Sequence, residues 1–205
     1  DAAWESLALP AAWRAPELVL EPGDGAEGLF HARFTGLLED ACLRPAQRAA
    51  VEAALRMDEP GLIIIEAPMG NGKTEASLLC AEILARKFGD GGVAYLLPMM
   101  ATSNAMFSRV EDWLRLLAQA DDAPPQAMQL LHSKVALNPD YAQLRRWRSG
   151  WMGDGEDAGG KGERVIAHEW FGGRKRGLLA PFVVGTVDQL LMAALKTKHV
   201  QLRHL

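Results

Sequence analysis

The residues best suited to chemistry lie in one short stretch, EAPMGNGKTEA, at positions 66–76. Gly70 and Gly72 have no Cβ, so the backbone at these positions is free to curve around an anion. In such a loop the lysine reaches the β and γ phosphates of a nucleotide, and the next hydroxyl binds Mg²⁺. Lys73 and Thr74 are therefore the candidate catalytic residues, and Thr74 is the candidate metal ligand.

This stretch departs from the usual phosphate-loop pattern, G-x-x-x-x-G-K-[ST], at its first position, where Ala67 replaces glycine. An ordinary solvated turn is the alternative interpretation. We expect nucleotide binding by the loop together with one glutamine upstream of it. The candidate nucleotide-binding residues are Gln47, Ala67, Met69, Gly70, Asn71, Gly72, Lys73, Thr74 and Glu75.

The segments on either side must position this loop. Before it, GLIII at residues 61–65 is a short apolar run rich in β-branched residues, which predicts a buried strand. After it, apolar residues at helical spacing predict a helix whose first N–H groups favour an anion. The apolar residues of that helix are Ala76, Leu79, Cys80, Ile83 and Leu84.

Strand and helix patterns alternate along the rest of the chain. This alternation predicts an α/β fold with a parallel sheet flanked by helices, as in P-loop NTPases. The further buried strands are predicted at residues 91–98, 127–132 and 181–186, and the helices at residues 44–57, 100–119, 141–147 and 187–195.

The sequence divides into two predicted parts. Residues 1–43 show little periodicity and are interpreted as a linker or wrapping arm whose tryptophans, Trp4 and Trp13, pack on the domain. Residues 44–205 are interpreted as the domain itself. Within it, residues 150–163 are rich in glycine and charge, which predicts a flexible loop.

Composition limits the class of protein. The chain has 205 residues, of which 49% are hydrophobic, enough for a sizeable core, and its apolar runs are too short to cross a membrane. Cys42 and Cys80 have neither metal-binding nor redox spacing, which favours a cytoplasmic location. Residues 1–60 carry a net charge of −6, whereas residues 142–205 carry +5. The basic part either faces a nucleic-acid backbone or is simply solvated.

Three further stretches narrow the function. In RPAQ, the Gln47 amide can donate and accept at once, as adenine recognition requires, although a solvated glutamine at a helix start is the simpler interpretation. After the strand that ends at Pro98, polar residues at a helix start either bind phosphates or cap the helix. In VVGTVDQLL, Thr186 and Gln189 match a capping box, which does not exclude a phosphate contact.

Together these stretches resemble the adenine-reading, Ia and Ic motifs of superfamily 2 helicases, in the same order. The segments RPAQ, LLPMMATSNAMFSR, LLHSK and EWFGGRKRGLLAPFVVGTVDQLL are similar to the helicase part of the type I CRISPR-associated helicase-nuclease. This resemblance covers about residues 40–205. It implies the first RecA-like domain of an ATP- and Mg²⁺-dependent motor on single-stranded DNA, recruited by the Cascade complex in CRISPR interference.

The resemblance also implies roles for single residues. Gln47 would bind the adenine, Phe30 or Phe34 would stack on it, and the loop residues 70–74 would bind the phosphates and Mg²⁺. Met99 stands where the family often has threonine. The implied DNA path is lined by Pro98, Thr102, Asn104, Arg109, Arg174, Lys175, Arg176, Gly185, Thr186 and Gln189.

Several parts of the family's machinery are expected outside these 205 residues. The DExH box, which would complete the Mg²⁺ site and orient the attacking water, is expected on the strand after residues 198–205. The arginine finger and the nuclease domain are expected elsewhere as well. We therefore expect a helicase domain truncated before the DExH box, which binds nucleotide weakly and does not hydrolyse it.

The sequence leaves two other functions open. A small nucleotide kinase would need a lid rich in arginine, for which Arg145, Arg146 and Arg148 are the candidates. A non-catalytic module that binds nucleic acid or a partner protein would keep its function after Lys73→Ala.

Overall fold

The computed structural model describes residues 13–16, 25–34, 42–117, 126–142, 144, 165–172 and 176–194. The chain divides into two compact units, one formed by residues 14–91 and the other by residues 1–13 and 92–205. The predicted flexible loop at residues 150–163 lies outside the described residues.

The unit formed by residues 14–91 is helical. Its helices are α1 (Gly25–Phe34), α2 (Pro45–Arg56) and α3 (Lys73–Phe88). Helix α2 begins with proline, which has no N–H to leave unpaired in the first turn, and α3 is bounded by glycines in the left-handed conformation. Helices α2 and α3 pack against each other. The predicted apolar face of α3 is confirmed at Ala76, Leu79, Cys80 and Ile83, which are buried, while Leu84 is half-buried.

Helix α1 was not predicted, and a buried ion-pair cluster ties it to α3. The Glu82 carboxylate, which is 0% exposed, accepts hydrogen bonds at 2.8–3.2 Å from Arg33 of α1 and at 3.0 Å from Arg86 of its own helix. Arg86 also donates to the Pro16 carbonyl at 2.9 Å. Removing one partner of such a buried pair costs about 3–5 kcal/mol, so the cluster anchors Pro16 and α1 on α3.

The prediction of a buried strand at residues 61–65 is wrong for this structure. The segment has no regular secondary structure, and Leu62 and Ile64 are 84% and 82% exposed. A strand needs a neighbour that pairs with its N–H and C=O groups. Among the described residues 25–34 and 42–91 there is no strand, and the segment pairs with none of the described strands.

The other unit contains a four-stranded parallel sheet, which confirms the predicted α/β fold. Its strands are β1 (Val93–Leu97), β2 (Gln126–Leu131), β3 (Val165–Ile166) and β4 (Phe182–Thr186), in the order β1-β4-β2-β3. The helices are α4 (Met100–Leu117), which packs on β4, and α5 (Val187–Ala194). Residues 139–142 are also helical, as predicted in part.

Position in the sheet decides how deeply each strand is buried. Strands β2 and β4 are buried along their whole length. Strand β1 lies at the edge and is only half-buried, which corrects the prediction that it is buried like the others. Strand β3 was not predicted, because two residues are too few for a periodic pattern.

Aromatic side chains form the core between α4 and the sheet. Trp113 and Phe107 of α4 and Phe182 of β4 are among the largest fully buried side chains. Trp13 packs edge-on against Phe182, with ring centroids 4.8 Å apart. This contact confirms that an N-terminal tryptophan packs on the domain, while Trp4 lies outside the described residues. No helix in the described part of the chain is long and apolar enough to cross a membrane.

Candidate nucleotide and nucleic-acid sites

The loop before α3 has two glycines in the left-handed backbone region. Gly70 and Gly72 have φ angles of +80° and +69°, a region that side chains disfavour. A Cβ at Gly72 would lie 2.0 Å from the Gln47 Nε2, whereas a Cβ at Gly70 would meet nothing within 4 Å. Glycine at position 72 is therefore favoured by its positive φ, and a Cβ there would also force the Gln47 amide to move.

Lys73 points back into the loop rather than into solvent. Its Nζ donates to the carbonyl oxygens of Ala67 at 2.5 Å and Pro68 at 2.8 Å. The Asn71 backbone N–H and side chain both lie 3.4 Å from the same Pro68 oxygen. The ammonium thus sits on loop carbonyls, and a bound phosphate would have to displace it from them.

Gln47 is part of the same loop rather than a solvated residue. It is 4% exposed, and its Nε2 donates to the Gly72 carbonyl at 3.0 Å. Its Oε1 accepts from the Arg44 backbone N–H at 2.9 Å at the start of α2. Both ends of the amide are used within the protein, so reading adenine would require Gln47 to exchange at least one of these bonds.

The remaining nucleotide candidates differ in their surroundings. Thr74 and Glu75 lie in the first turn of α3 and are half-buried, and Met69 is 96% exposed at the tip of the loop. Phe30 and Phe34 are buried against each other, with centroids 5.5 Å apart. The proposal that one of them stacks on a base is therefore wrong for this structure, since neither ring is accessible.

In the other unit, polar residues collect where the parallel strands end. Thr102 is exposed and its hydroxyl donates to the Met99 carbonyl at 2.8 Å, a local bond to the backbone three residues earlier. Ser103, fully buried, links the start of α4 to β4 through the Gly185 carbonyl at 3.0 Å. Pro98 and Arg109 are exposed nearby in sequence.

Asn104 belongs to a buried polar cluster that was not predicted. Its Oδ1 lies 2.8 Å from His132 Nε2 and 3.0 Å from Asn138 Nδ2. Both neighbours are largely buried, and burial lowers the pKa of His132 from its ordinary 6.5. The five histidines are scattered along the sequence. His132 could have been singled out because it directly follows a buried strand.

The start of α5 is less favourable to phosphate than expected. A hydrogen bond from the Thr186 hydroxyl, with smaller help from Gln189 and the Asp188 backbone, holds the pKa of the Asp188 carboxyl below its usual 3.8. Gln189 Nε2 donates to Asp188 Oδ2 at 3.2 Å. Thr186 and Gln189 therefore both turn to a carboxylate rather than to each other, and that carboxylate repels a phosphate.

Gly185 has a packing role at the same edge. A Cβ there would lie 2.6 Å from the Leu131 carbonyl oxygen and 3.0 Å from the Leu131 Cβ. Strands β4 and β2 are paired at this point, Leu131 opposite Gly185. Glycine is therefore required for the close approach of the two strands, whether or not it also contacts a ligand.

The basic segment is described only at its end. Arg176 lies over the Trp170 ring, with its Cζ 5.3 Å from the ring centroid. The next residue, Gly177, is buried against the Leu131 side chain at the end of β2. Arg176 thus lies beside the end of β2. Arg174, Lys175 and the kinase candidates Arg145, Arg146 and Arg148 lie outside the described residues.

The described residues contain no metal-binding cluster and no reactive buried thiol. Among those residues there is no group of three or more His, Cys, Asp or Glu side chains that could hold a metal ion. Burial raises the pKa of Cys80 to about 11, so this thiol stays protonated and inert. Cys42 is exposed.

Known proteins provide a direct comparison. No protein-family profile matches the chain. It is 46% identical over 146 residues to the CRISPR-associated nuclease/helicase Cas3 of Streptococcus thermophilus, covering 71% of this chain and 15% of that protein. It is 40% identical over 141 residues to the CRISPR-associated endonuclease/helicase Cas3 of Thermus thermophilus, covering 68% and 14%.

Solved structures agree with the sequence comparison. The crystal structure of T. fusca Cas3 matches with a TM-score of 0.69 at 34% identity, covering 93% of this chain and 18% of that one. The structure of T. fusca Cas3 with ATP matches with a TM-score of 0.67. The chain thus spans less than a fifth of the length of these relatives. It is a homologue of the Cas3 helicase-nucleases, with a RecA-like fold consistent with a helicase domain of that family.

Proposed function

We propose that this chain is the ATP-binding part of a motor that moves along single-stranded DNA and unwinds it during CRISPR interference. The observation that carries the proposal is the loop before α3, in which Gly72 has a φ of +69° and the Lys73 Nζ is directed at the Ala67 and Pro68 carbonyls. Further support comes from the similar crystal structures of T. fusca Cas3 with ATP, ADP and AMPPNP.

The donor set fits a nucleotide with Mg²⁺. The first N–H groups of α3, the open backbone at Gly70 and the Lys73 ammonium would bind the β and γ phosphates, and the Thr74 hydroxyl would contact Mg²⁺. The metal would neutralise charge that develops on the transferred phosphoryl group. Gln47 of α2 hydrogen-bonds the Gly72 carbonyl of the loop, so adenine binding at Gln47 would affect the loop through this bond.

The DNA strand would follow the edge at which β1, β2 and β4 end. Its contacts would come from exposed Thr102 and Arg109, from Asn104 and from Arg176, with Arg174 and Lys175 as further candidates. Thr186 and Gln189 would contribute only after releasing Asp188. The relatives are CRISPR-associated nuclease/helicases, and recruitment by the Cascade complex is part of the proposal.

For these 205 residues alone, we propose nucleotide binding without turnover. No DExH sequence follows β4, so the carboxylates that would complete the Mg²⁺ site and orient water are lacking in this stretch. Loss of such groups removes most of the transition-state stabilisation in phosphoryl transfer.

Steady-state ATP hydrolysis tests the proposal. We expect no turnover with or without single-stranded DNA, and nucleotide binding that is lost in Lys73→Ala but kept in the matched control Lys87→Ala at the other end of α3. Turnover that DNA stimulates and Lys73→Ala abolishes would show that the catalytic carboxylates are present here. A non-catalytic binding module would bind its nucleic acid or partner protein equally well with Lys73 and with Lys73→Ala. A kinase would phosphorylate a nucleoside monophosphate.

A further inference from the structure

Two backbone N–H groups determine the orientation of the polar cluster around Asn104. The Lys134 N–H donates to His132 Nδ1 at 3.1 Å. An N–H can only donate, so Nδ1 is an acceptor and the neutral ring carries its proton on Nε2. His132 Nε2 therefore donates to the Asn104 Oδ1, 2.8 Å away.

The second N–H acts through Asn138. The Tyr141 N–H donates to Asn138 Oδ1 at 2.8 Å, which identifies that atom as the oxygen and the other end of the amide as the NH₂ group. Asn138 Nδ2 then donates to Asn104 Oδ1 at 3.0 Å. Asn138 is buried in this position, at 4% exposure.

The Asn104 amide is consequently held in one orientation. Its Oδ1 accepts from both His132 and Asn138, so both oxygen lone pairs are used. A flipped amide would place its NH₂ group against two donors. The Asn104 Nδ2 is left with no hydrogen bond to any residue in the described part of the chain, and the side chain is partly exposed.

We propose that His132 and Asn138 are positioning residues that lock Asn104 as a hydrogen-bond donor to a phosphodiester oxygen of single-stranded nucleic acid. The inference deepens the proposed function and rests on it. The three residues have different roles, because Asn104 touches the ligand while the other two act only through it. Neutral His132 supplies orientation and no charge, in keeping with the pKa that burial lowers.

A phosphodiester is the ligand that this arrangement fits. A locked NH₂ group offers donors and no acceptor, and phosphate oxygens accept only. Contacts of this kind position the strand without reading its bases, so the loss on mutation would be the same for different sequences.

The test is a double-mutant cycle in the full 205-residue chain, with affinity for oligo-dT and oligo-dA measured by fluorescence anisotropy at fixed salt. Asn104→Ala is expected to weaken binding about tenfold, the size of one hydrogen bond to a charged group. His132→Leu is expected to weaken it about fivefold alone but less than about twofold in the Asn104→Ala background. His132→Gln retains a donor and is expected to bind within about twofold of the unsubstituted chain.

Additive losses, unequal losses for the two sequences, or a His132→Gln chain as weak as His132→Leu would each overturn the proposal. Circular dichroism confirms that each variant is folded. The ring nitrogen shifts of His132 in a ¹⁵N-labelled chain give an independent readout, in which the proton is expected on Nε2 and a proton on Nδ1 would disprove the lock. An unsubstituted chain that binds no DNA would overturn the proposed function, while the nitrogen shifts would still decide the orientation.

Discussion

The two candidate sites are built in different ways. The phosphate loop lies within about ten consecutive residues, and its defining features are backbone conformations at Gly70 and Gly72. The sheet edge draws Asn104, His132 and Asn138 from three separate segments, and its defining features are side-chain hydrogen bonds. A local site of the first kind tolerates little change at single backbone positions, whereas the second depends on partners distant in sequence.

The sites also differ in how their polar groups are used. In the loop, both Lys73 and Gln47 bind carbonyls of the loop itself, so a nucleotide must replace bonds that already exist. At the sheet edge, the Asn104 oxygen is fully used while its NH₂ group is available. We infer that nucleotide binding rearranges its site, whereas nucleic acid meets a donor already in place.

The largest expected effect separates the two glycines of the loop. Both have positive φ, so alanine at either costs about 1–2 kcal/mol. At Gly72 the new Cβ would also meet Gln47, which adds about 1–3 kcal/mol. Gly72→Ala should therefore lower the midpoint of denaturant unfolding more than Gly70→Ala does, and should abolish nucleotide binding. Equal midpoints would show that Gln47 moves aside without cost.

A similar comparison applies to the sheet. Gly185→Ala places a Cβ against the Leu131 backbone and is expected to cost about 1–3 kcal/mol in the free energy of unfolding. Gly91→Ala is the matched control, because a Cβ there meets nothing within 4 Å. Chemical denaturation measures both. A Gly185→Ala chain of unchanged stability that loses DNA binding would assign the glycine to the ligand instead of to packing.

The Asp188 carboxylate provides a test of whether negative charge at the start of α5 weakens DNA binding. Asp188→Asn removes an exposed carboxylate and frees Thr186 and Gln189, so affinity for single-stranded DNA should rise about two- to fivefold. The gain should shrink at high salt. Affinity measured at two salt concentrations, with Asp90→Asn on the other unit as the control, checks this. Unchanged affinity would place the strand away from α5.

The smallest expected effect concerns pH. Because burial lowers the folded-state pKa of His132 below its ordinary 6.5, the unfolded chain binds more protons between these two values. Stability should be full above about pH 6.5 and fall as the pH drops toward the folded-state pKa. His132→Gln should lack this part of the decline. Thermal unfolding from about pH 7.5 to about pH 5 measures it, and identical curves for both chains would exclude His132 as the source.

The contrast between the sites explains what the sequence could predict. The phosphate loop could be found because its chemistry is encoded by adjacent residues, and Asn104 could be suspected from its helix start. His132 and Asn138 could not be linked to it, since they lie 28 and 34 residues away. Residues 61–65 were misjudged because an apolar run predicts a strand only where a neighbouring strand pairs with it.

Other differences have equally physical causes. Helix α1 was not predicted, although its buried residues Ala26, Leu29, Phe30 and Phe34 recur at helical spacing. Its ion pair between Arg33 and Glu82, 49 residues apart, leaves no local signal in the sequence. Adenine recognition by Gln47 stays a prediction, while its hydrogen bond to the Gly72 carbonyl is a contact that no local pattern encodes. The proposed nucleotide and DNA contacts remain predictions about single residues, while the parallel α/β fold is confirmed.

The most direct test of the account measures both ligands on the same three chains. A fluorescent ATP analogue and a labelled single-stranded oligonucleotide are titrated into the unsubstituted chain, Lys73→Ala and Asn104→Ala. We predict that Lys73→Ala loses nucleotide and keeps DNA, while Asn104→Ala loses about tenfold in DNA affinity and keeps nucleotide. Nucleotide binding that survives Lys73→Ala would contradict the assignment of the loop before α3 as the phosphate site.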